Sequence, residues 1–156
     1  MKRIILALVM ISSLVFSYEM DYTKETECEV RHFKVYKEPK WASKIELQNG
    51  KKIFFSSPKS MFEFYFRPGN WYHIGVKSEK DFKDILITDF NTGKIVEARG
   101  AFYVYGSRIT SPAGDDLVPF DSFKQANEFA KKYNGKRVFG FKEVSIPLVN
   151  LINGRI

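Results

Sequence analysis

Cys28 and His32 stand four residues apart in a chain with one cysteine and two histidines, and they are its one close pairing of thiol and imidazole. Together with the thioethers of Met20 and Met61 they are the soft and borderline donors that suit Cu(I) or a similar ion. The spacing sets a condition on the backbone. On a straight strand, side chains four apart share a face but lie ~13 Å from one another, too far for one ion. A helical turn or a looped segment lets them converge. Otherwise the pair is an unpaired thiol and a surface histidine on one mobile segment. Met61 falls on the core face of a short helix and reads as packing rather than as a ligand.

Other chemistry has weaker support. Gly114-Asp115-Asp116 sets two carboxylates side by side, but it follows Ser111-Pro112-Ala113 between two strands. Asp beside Gly is ordinary turn chemistry, so a solvated turn is expected there. No nucleophile elbow, phosphate-cradling glycine loop or helical His-Glu-x-x-His occurs, and two histidines leave few candidates for a hydrolytic triad. No enzyme is expected. The net charge of +7 comes from 25 basic against 18 acidic residues, and apart from Lys2 and Arg3 the basic ones are spread from Lys24 to Arg155 with acids interleaved, so no nucleic-acid partner, DNA or RNA, is expected.

The elements that must position these residues begin after a leader. Met1-Lys2-Arg3 is a basic start, and Ile4 to about Phe16 is apolar but short of the ~20 residues a membrane span needs. Val15-x-Ser17 offers the small residues of a cleavage site, which predicts a cleavable signal peptide over 1–17 and an exported, periplasmic, non-spanning protein. Removing the leader lowers the charge from +7 to +5. An oxidising compartment favours paired cysteines, whereas Cys28 has no internal mate. It follows Lys24-Glu25-Thr26-Glu27, a polar run unlike any lipoprotein signal, so lipid anchoring is not expected.

Residues 18–27 are polar without periodicity and read as a flexible N-terminus. Alternating residues from Trp41 to Leu47, then Asn49-Gly50, then Lys52 to Phe55 predict a β-hairpin. Ser57 and Pro58 suit the cap and first turn of a helix that ends before Pro68-Gly69, and Ile85 to Phe90 reads as a strand. Further strands are expected at 101–105, 117–120 and 138–141. Ser122 with Gln125 forms a capping-box pattern, and Ala126, Phe129, Ala130 and Tyr133 line one face of a helix stopped by Asn134-Gly135.

Phe55, Ser57, Lys59, Glu63 and Phe64 match Phe120, Ser122, Lys124, Glu128 and Phe129 at one constant offset. The economical reading is an α+β protein of two related ββαβ units packed on one core. The expected divisions are 28–98 for the first unit, 99–146 for the second and 147–156 for a C-terminal tail.

Cys28-Glu29-Val30, Pro39-Lys40-Trp41, Met61-Phe62-Glu63-Phe64-Tyr65-Phe66, Ala101 to Ser107, Pro112 with Gly114, and Pro119-Phe120 together resemble the NosL family over about Cys28 to Val144. The resemblance implies an exported accessory protein that supplies copper to nitrous oxide reductase or to its membrane assembly machinery. It also implies a pair of ββαβ units, a fold shared with part of the organomercurial lyases.

The motifs depart from the family at its ligands. Relatives usually show Cys-x-x-Cys-Gly-Met, where this chain has Cys28 followed by Arg31, His32 and Phe33 at the last three positions. They also show Gly-Pro-Met-Gly-His, where this chain has Ser111-Pro112-Ala113-Gly114-Asp115. Alanine offers no side-chain donor, and carboxylate is a hard ligand that suits Cu(I) poorly. Two expectations follow. One is copper handling, with Cys28 and His32 as a makeshift or intermolecular metal site. The other is a metal-free binding or scaffold module that uses aromatic surfaces, Trp41, Trp71 and Tyr72 among them, toward a membrane-associated partner. Organomercury cleavage fares worst, since that chemistry wants several thiols.

Overall fold

The computed structural model describes residues 17–155. The expected leader lies, but for Ser17, outside the described residues. Among the described residues, two antiparallel sheets and three α-helices make up the mixed fold. The first sheet has the order β2-β1-β3-β4, with β1 at Ser43–Leu47, β2 at Lys52–Phe55, β3 at Phe82–Thr88 and β4 at Ile95–Glu97. The second has the order β6-β5-β7, with β5 at Phe102–Tyr105, β6 at Leu117–Phe120 and β7 at Arg137–Gly140.

The expected hairpin joins β1 to β2 in the register Ser43↔Phe55. Gly50 sits in its turn at φ +84°, a conformation open to glycine at little cost. Helix α1, Pro58–Phe66, starts where Ser57 accepts the amide of Ser60, with Pro58 in the first turn. Helix α2, Phe123–Lys132, starts where Ser122 accepts the amide of Gln125. The return half of that capping box is not made, and Gln125 Oε1 is buried without a partner among the described residues. At its other end Asn134 takes φ +58° and the amide of Gly135 reaches the carbonyl of Ala130 at 2.8 Å, closing the helix with a left-handed cap.

Strand β3 begins three residues earlier than expected, at Phe82, because the aromatic residue packs inward beside Phe64 and Tyr65. Two elements lie outside the sequence reading. One is the short edge strand β4. The other is α3, Ile146–Ile152, in the stretch assigned to a tail. Ser145 caps α3 and Val149 and Ile152 are buried, so this segment packs as part of the core. The lead-in 18–27 also differs from the flexible expectation. Met20 is buried with Val35, Ala42 and Leu86, and Asp21 bridges Lys44 and Lys52.

One core runs across both sheets. Phe55, Met61, Phe62 and Phe64 meet Ile45, Ile85 and Ile87 from the first sheet and Tyr103, Leu117 and Phe139 from the second. Met61 is fully buried there, in the packing role its position predicted. A fully buried side chain of this size contributes roughly 1.5–3 kcal/mol, so the shared core is what binds the two halves. Helix α2 covers the other face of the second sheet through Ala126, Phe129 and Ala130, with Trp41 and Phe90 closing the layer.

Candidate functional site

The segment holding Cys28 and His32 is a closed turn. Glu27 and Lys34 form an isolated bridge, the amide of Cys28 donates to the carbonyl of Phe33 at 2.8 Å, and the amide of His32 donates to the carbonyl of Cys28 at 2.8 Å. The turn that a shared ion would require is therefore present. Its two side chains part company, however. Cys28 is fully buried in the core, where the amide of Arg31 donates to its Sγ at 3.3 Å, and His32 is exposed at φ +58°. A non-glycine residue held in the left-handed region is strained and persists only where its surroundings fix it.

Three sets of bonds fix this turn. The amide of Glu29 donates to Phe54 of β2 at 2.9 Å. Trp71 Nε1 donates to the carbonyl of Glu29 at 3.2 Å, and His73 Nε2 lies 2.8 Å from the Glu29 carboxylate. The guanidinium of Arg31 donates to Glu63 of α1 at 2.9 Å and to Asn153, just past α3, at 2.7 Å. Arg155 and Asn153 also donate to the Glu63 carboxylate, at 2.8 Å and 3.0 Å. The C-terminal helix is thus clasped to the cysteine turn through one nearly buried carboxylate.

The loop 111–116 lies against the start of α1. Its turn is real, with Ser111 and Gly114 bridged, and Asp115 is exposed as expected. Asp116 corrects the reading of a solvated pair, because it is 4% exposed. Its carboxylate accepts the Lys59 amide at 2.8 Å, the Ser111 hydroxyl at 2.7 Å and its neighbour Leu117's amide at 2.9 Å. A carboxylate belongs at a helix N-terminus, where amides lack partners and the dipole is positive. Burial nevertheless raises the Asp116 pKa, against the lowering effect of these bonds and of the Ser57 hydroxyl. The Lys59 side chain is also buried, and its ammonium donates to the carbonyl of Ala113 at 2.7 Å. Burial lowers the Lys59 pKa; the charge of Asp116 opposes that shift and the charge of Arg31 adds to it.

Between the cysteine turn and the segment entering the 111–116 loop opens a cleft of about 520 Å³. His32 and Phe33 line it from one side and Thr110 and Pro112 from the other, with Trp41 and Ser56 between. Among the described residues no three His, Cys, Asp or Glu side chains are grouped as a metal site. Nor is any helix among them long and apolar enough to cross a membrane.

The NosL family model matches residues 19–149. The chain belongs to the NosL family. Its members are not enzymes. No match was found among the curated proteins. Among solved structures, the crystal structure of the copper chaperone NosL from Shewanella denitrificans is similar with a TM-score of 0.69 and 20% identity, over 85% of this chain and 97% of that one. The solution NMR structure of the apo-NosL protein from Achromobacter cycloclastes is 24% identical over 69% of this chain and 87% of that one, with a TM-score of 0.44. The first likeness establishes that this chain has the NosL fold.

Against the NosL motifs, the substitutions now have surroundings. Arg31, at the second cysteine position, is the residue that clasps Glu63. Ala113, at the methionine position, turns its carbonyl to the Lys59 ammonium. Neither partner was anticipated from sequence. The twins of Glu63 and Lys59 in the offset match, Glu128 and Lys124, are exposed on α2, so the match carries no sign that the first pair is buried. The aromatic surface also shifts. Trp41 is 4% exposed and Trp71 half-buried, whereas Tyr72 is 87% exposed and Phe33 and Tyr36 stand out at 43% and 39%.

Proposed function

We propose that this chain is an exported, periplasmic accessory protein that handles Cu(I) for assembly of a cuproenzyme, nitrous oxide reductase or a relative of it. Family membership supports the copper-handling role. The observation that carries it to a place is the cleft: its walls come from the two segments, around 31–33 and 110–112, next to which the resemblance implies the family's soft-ligand motifs. Cys28, buried beneath the turn and outside the cleft lining, and His32, which lines the cleft, are the soft and borderline donors this chain offers beside it. A thiolate and an imidazole make a sparse set that suits an ion held for transfer rather than for storage. Because the thiol faces the core, loading requires the 28–33 turn to open, and a partner's own ligand can complete the coordination. The leader 1–17, the two ββαβ units over 28–98 and 99–146, and the absence of a lipid anchor belong to the same reading. So does a partner within membrane-bound assembly machinery.

A second reading is favoured by a specific observation. Arg31 and the Lys59 ammonium bring fixed positive charge to the two segments that otherwise would hold a cation. On that reading the chain is a metal-free module that contacts its partner through Phe33, Tyr36 and Tyr72.

An anaerobic Cu(I) titration of the 18–156 protein against a colorimetric chelator separates the two. The copper reading expects one equivalent bound, with affinity reduced about tenfold or more by Cys28→Ala, the loss of one strong donor. No uptake at micromolar buffered copper, or uptake untouched by the substitution, overturns it.

A further inference from the structure

The end of α3 reaches the cysteine turn through its own cap. Asn153 closes the helix, Gly154 takes φ +68°, and the amides of Gly154 and Arg155 turn back to the carbonyls of Leu151 at 3.0 Å and Asn150 at 2.9 Å. In this paired cap a left-handed glycine returns two amides to the last turn. It ties Asn153 and Arg155 to α3, so both side chains travel with the helix.

Both end on one carboxylate. Asn153 and Arg155 donate to Glu63 at 3.0 Å and 2.8 Å, and Asn153 Oδ1 accepts the Arg31 guanidinium at 2.7 Å. Arg31 joins this cluster to the thiol, because its guanidinium holds Glu63 and Asn153 while its amide is the donor to Cys28 Sγ. The Nε of Arg31 is buried with no partner among the described residues, so the place of this side chain depends on the bonds at its far end. With α3 docked, the Glu63 side chain is 9% exposed. Once α3 leaves, water reaches the carboxylate, and an ion pair in water is weak. Undocking therefore takes Asn153 from Arg31 and weakens the remaining bond to Glu63 in one event.

Helix α3 is also suited to leave early. Of its seven side chains Val149 and Ile152 are buried, in the core cluster that contains Cys28, whereas Ile146 and Leu151 are 38% and 44% exposed. Few buried apolar contacts mark the segments of a fold that open below global unfolding.

We propose that α3 and its cap are a gate on Cys28. Docked, the helix holds the 28–33 turn closed over the thiol; undocked, it frees Arg31 and admits a reagent to the sulfur while both sheets stay folded. The gate acts on the thiol that the copper reading uses, but it stands on this geometry alone. It is tested on metal-free protein, so either can fail without the other.

The first measurement needs no variant. In metal-free 18–156 protein, the opening constant of the α3 amides by hydrogen exchange should agree within about threefold with that of Cys28 by labelling with an aromatic disulfide reagent. Both should exceed the opening constant of Ile45 and Ile85, at the centre of the first sheet, by about tenfold or more. The second measurement compares two variants of similar loss in urea. Val149→Ala, in α3, should raise Cys28 labelling about tenfold. Ala130→Gly, in α2 on the second sheet, should leave it unchanged. Opening constants of α3 and the thiol that differ by more than about tenfold would overturn the gate, as would faster α3 exchange in Val149→Ala without faster labelling. Equal acceleration by both variants would also overturn it, since the thiol would then be reached through global unfolding.

Discussion

The carboxylate of Asp116, on the way into β6, accepts the backbone amide of Lys59 in the first turn of α1 at 2.8 Å. A mirror of that contact ties the halves from the other side, where Asp89, just past β3, accepts the amide of Asp121 ahead of α2 at 2.7 Å. Each half thus supplies a buried acid to the helix entry of the other, which fixes the 111–116 loop against α1 and shapes the far wall of the cleft.

Replacing Asp116 by alanine strands two backbone amides and the Ser111 hydroxyl. We expect a loss of about 3 kcal/mol by urea unfolding, and a smaller loss, about 1–2 kcal/mol, for Asp116→Asn, which keeps the shape. The pH dependence has a definite sign. The folded-state pKa of Asp116 is raised, so its contribution is greatest below the ordinary carboxylate range and declines as pH rises toward the raised value. The stability advantage of the parent over Asp116→Asn should therefore shrink as pH rises through the acidic range. A constant or growing advantage contradicts this placement.

Arg31 and Glu63 form a latch across the cysteine turn. Glu63→Ala leaves two arginines without their shared anion, and should cost roughly 3 kcal/mol and speed hydrogen exchange in Ile146–Ile152. A double-mutant cycle of Arg31→Ala with Glu63→Ala should show coupling of about 1 kcal/mol or more. Additive losses would mean that the contact carries no energy of its own.

Labelling of Cys28 by an aromatic disulfide reagent should be slow in the native protein, since the thiol is fully buried, and fast in urea. Arg31→Ala should raise the native rate about tenfold by loosening the turn. Rapid labelling of the parent would show that the turn is already open.

Tyr65 donates its phenol to Glu79 and has its pKa pushed up to about 12, first by burial and then by that carboxylate. A raised pKa keeps the proton on in the folded state. Its contribution to stability is full below the ordinary tyrosine value near 10 and is lost as pH climbs toward about 12. Ultraviolet titration should show late ionisation from two phenols, Tyr65 and the fully buried Tyr103, whose pKa burial also raises, and Tyr65→Phe should remove one phenol's share of that late phase. A late phase of unchanged amplitude in the variant would contradict the placement of Tyr65.

Local signals in the chain were strong wherever a side chain talks to its own backbone. Ser57-Pro58, Ser122, Asn49-Gly50 and Asn134-Gly135 each mark an element end that the structure places there. The same signal in Ser145-Ile146-Pro147 announces α3, and it was masked by the short apolar run that follows. The site was less legible, because its defining contacts join distant residues. Nothing near Glu63 indicates that Arg31 and Arg155 will converge on it, 32 and 92 positions away. Asp116 looked like a turn residue for the same reason, since its burial depends on α1 arriving from the other half. The spacing of Cys28 and His32 left strand and turn both open; the turn they occupy, and the facing of each side chain, are set by tertiary packing around Phe54 and Trp71.

The central claim is that copper is held through Cys28, and X-ray absorption at the copper edge reads it most directly. Protein loaded anaerobically with one equivalent of Cu(I) should show a sulfur scatterer in the first coordination sphere, with a lighter scatterer of imidazole type, and Cys28→Ala should lose the sulfur. A first sphere without sulfur in the parent protein, or one unchanged in the variant, would contradict the account.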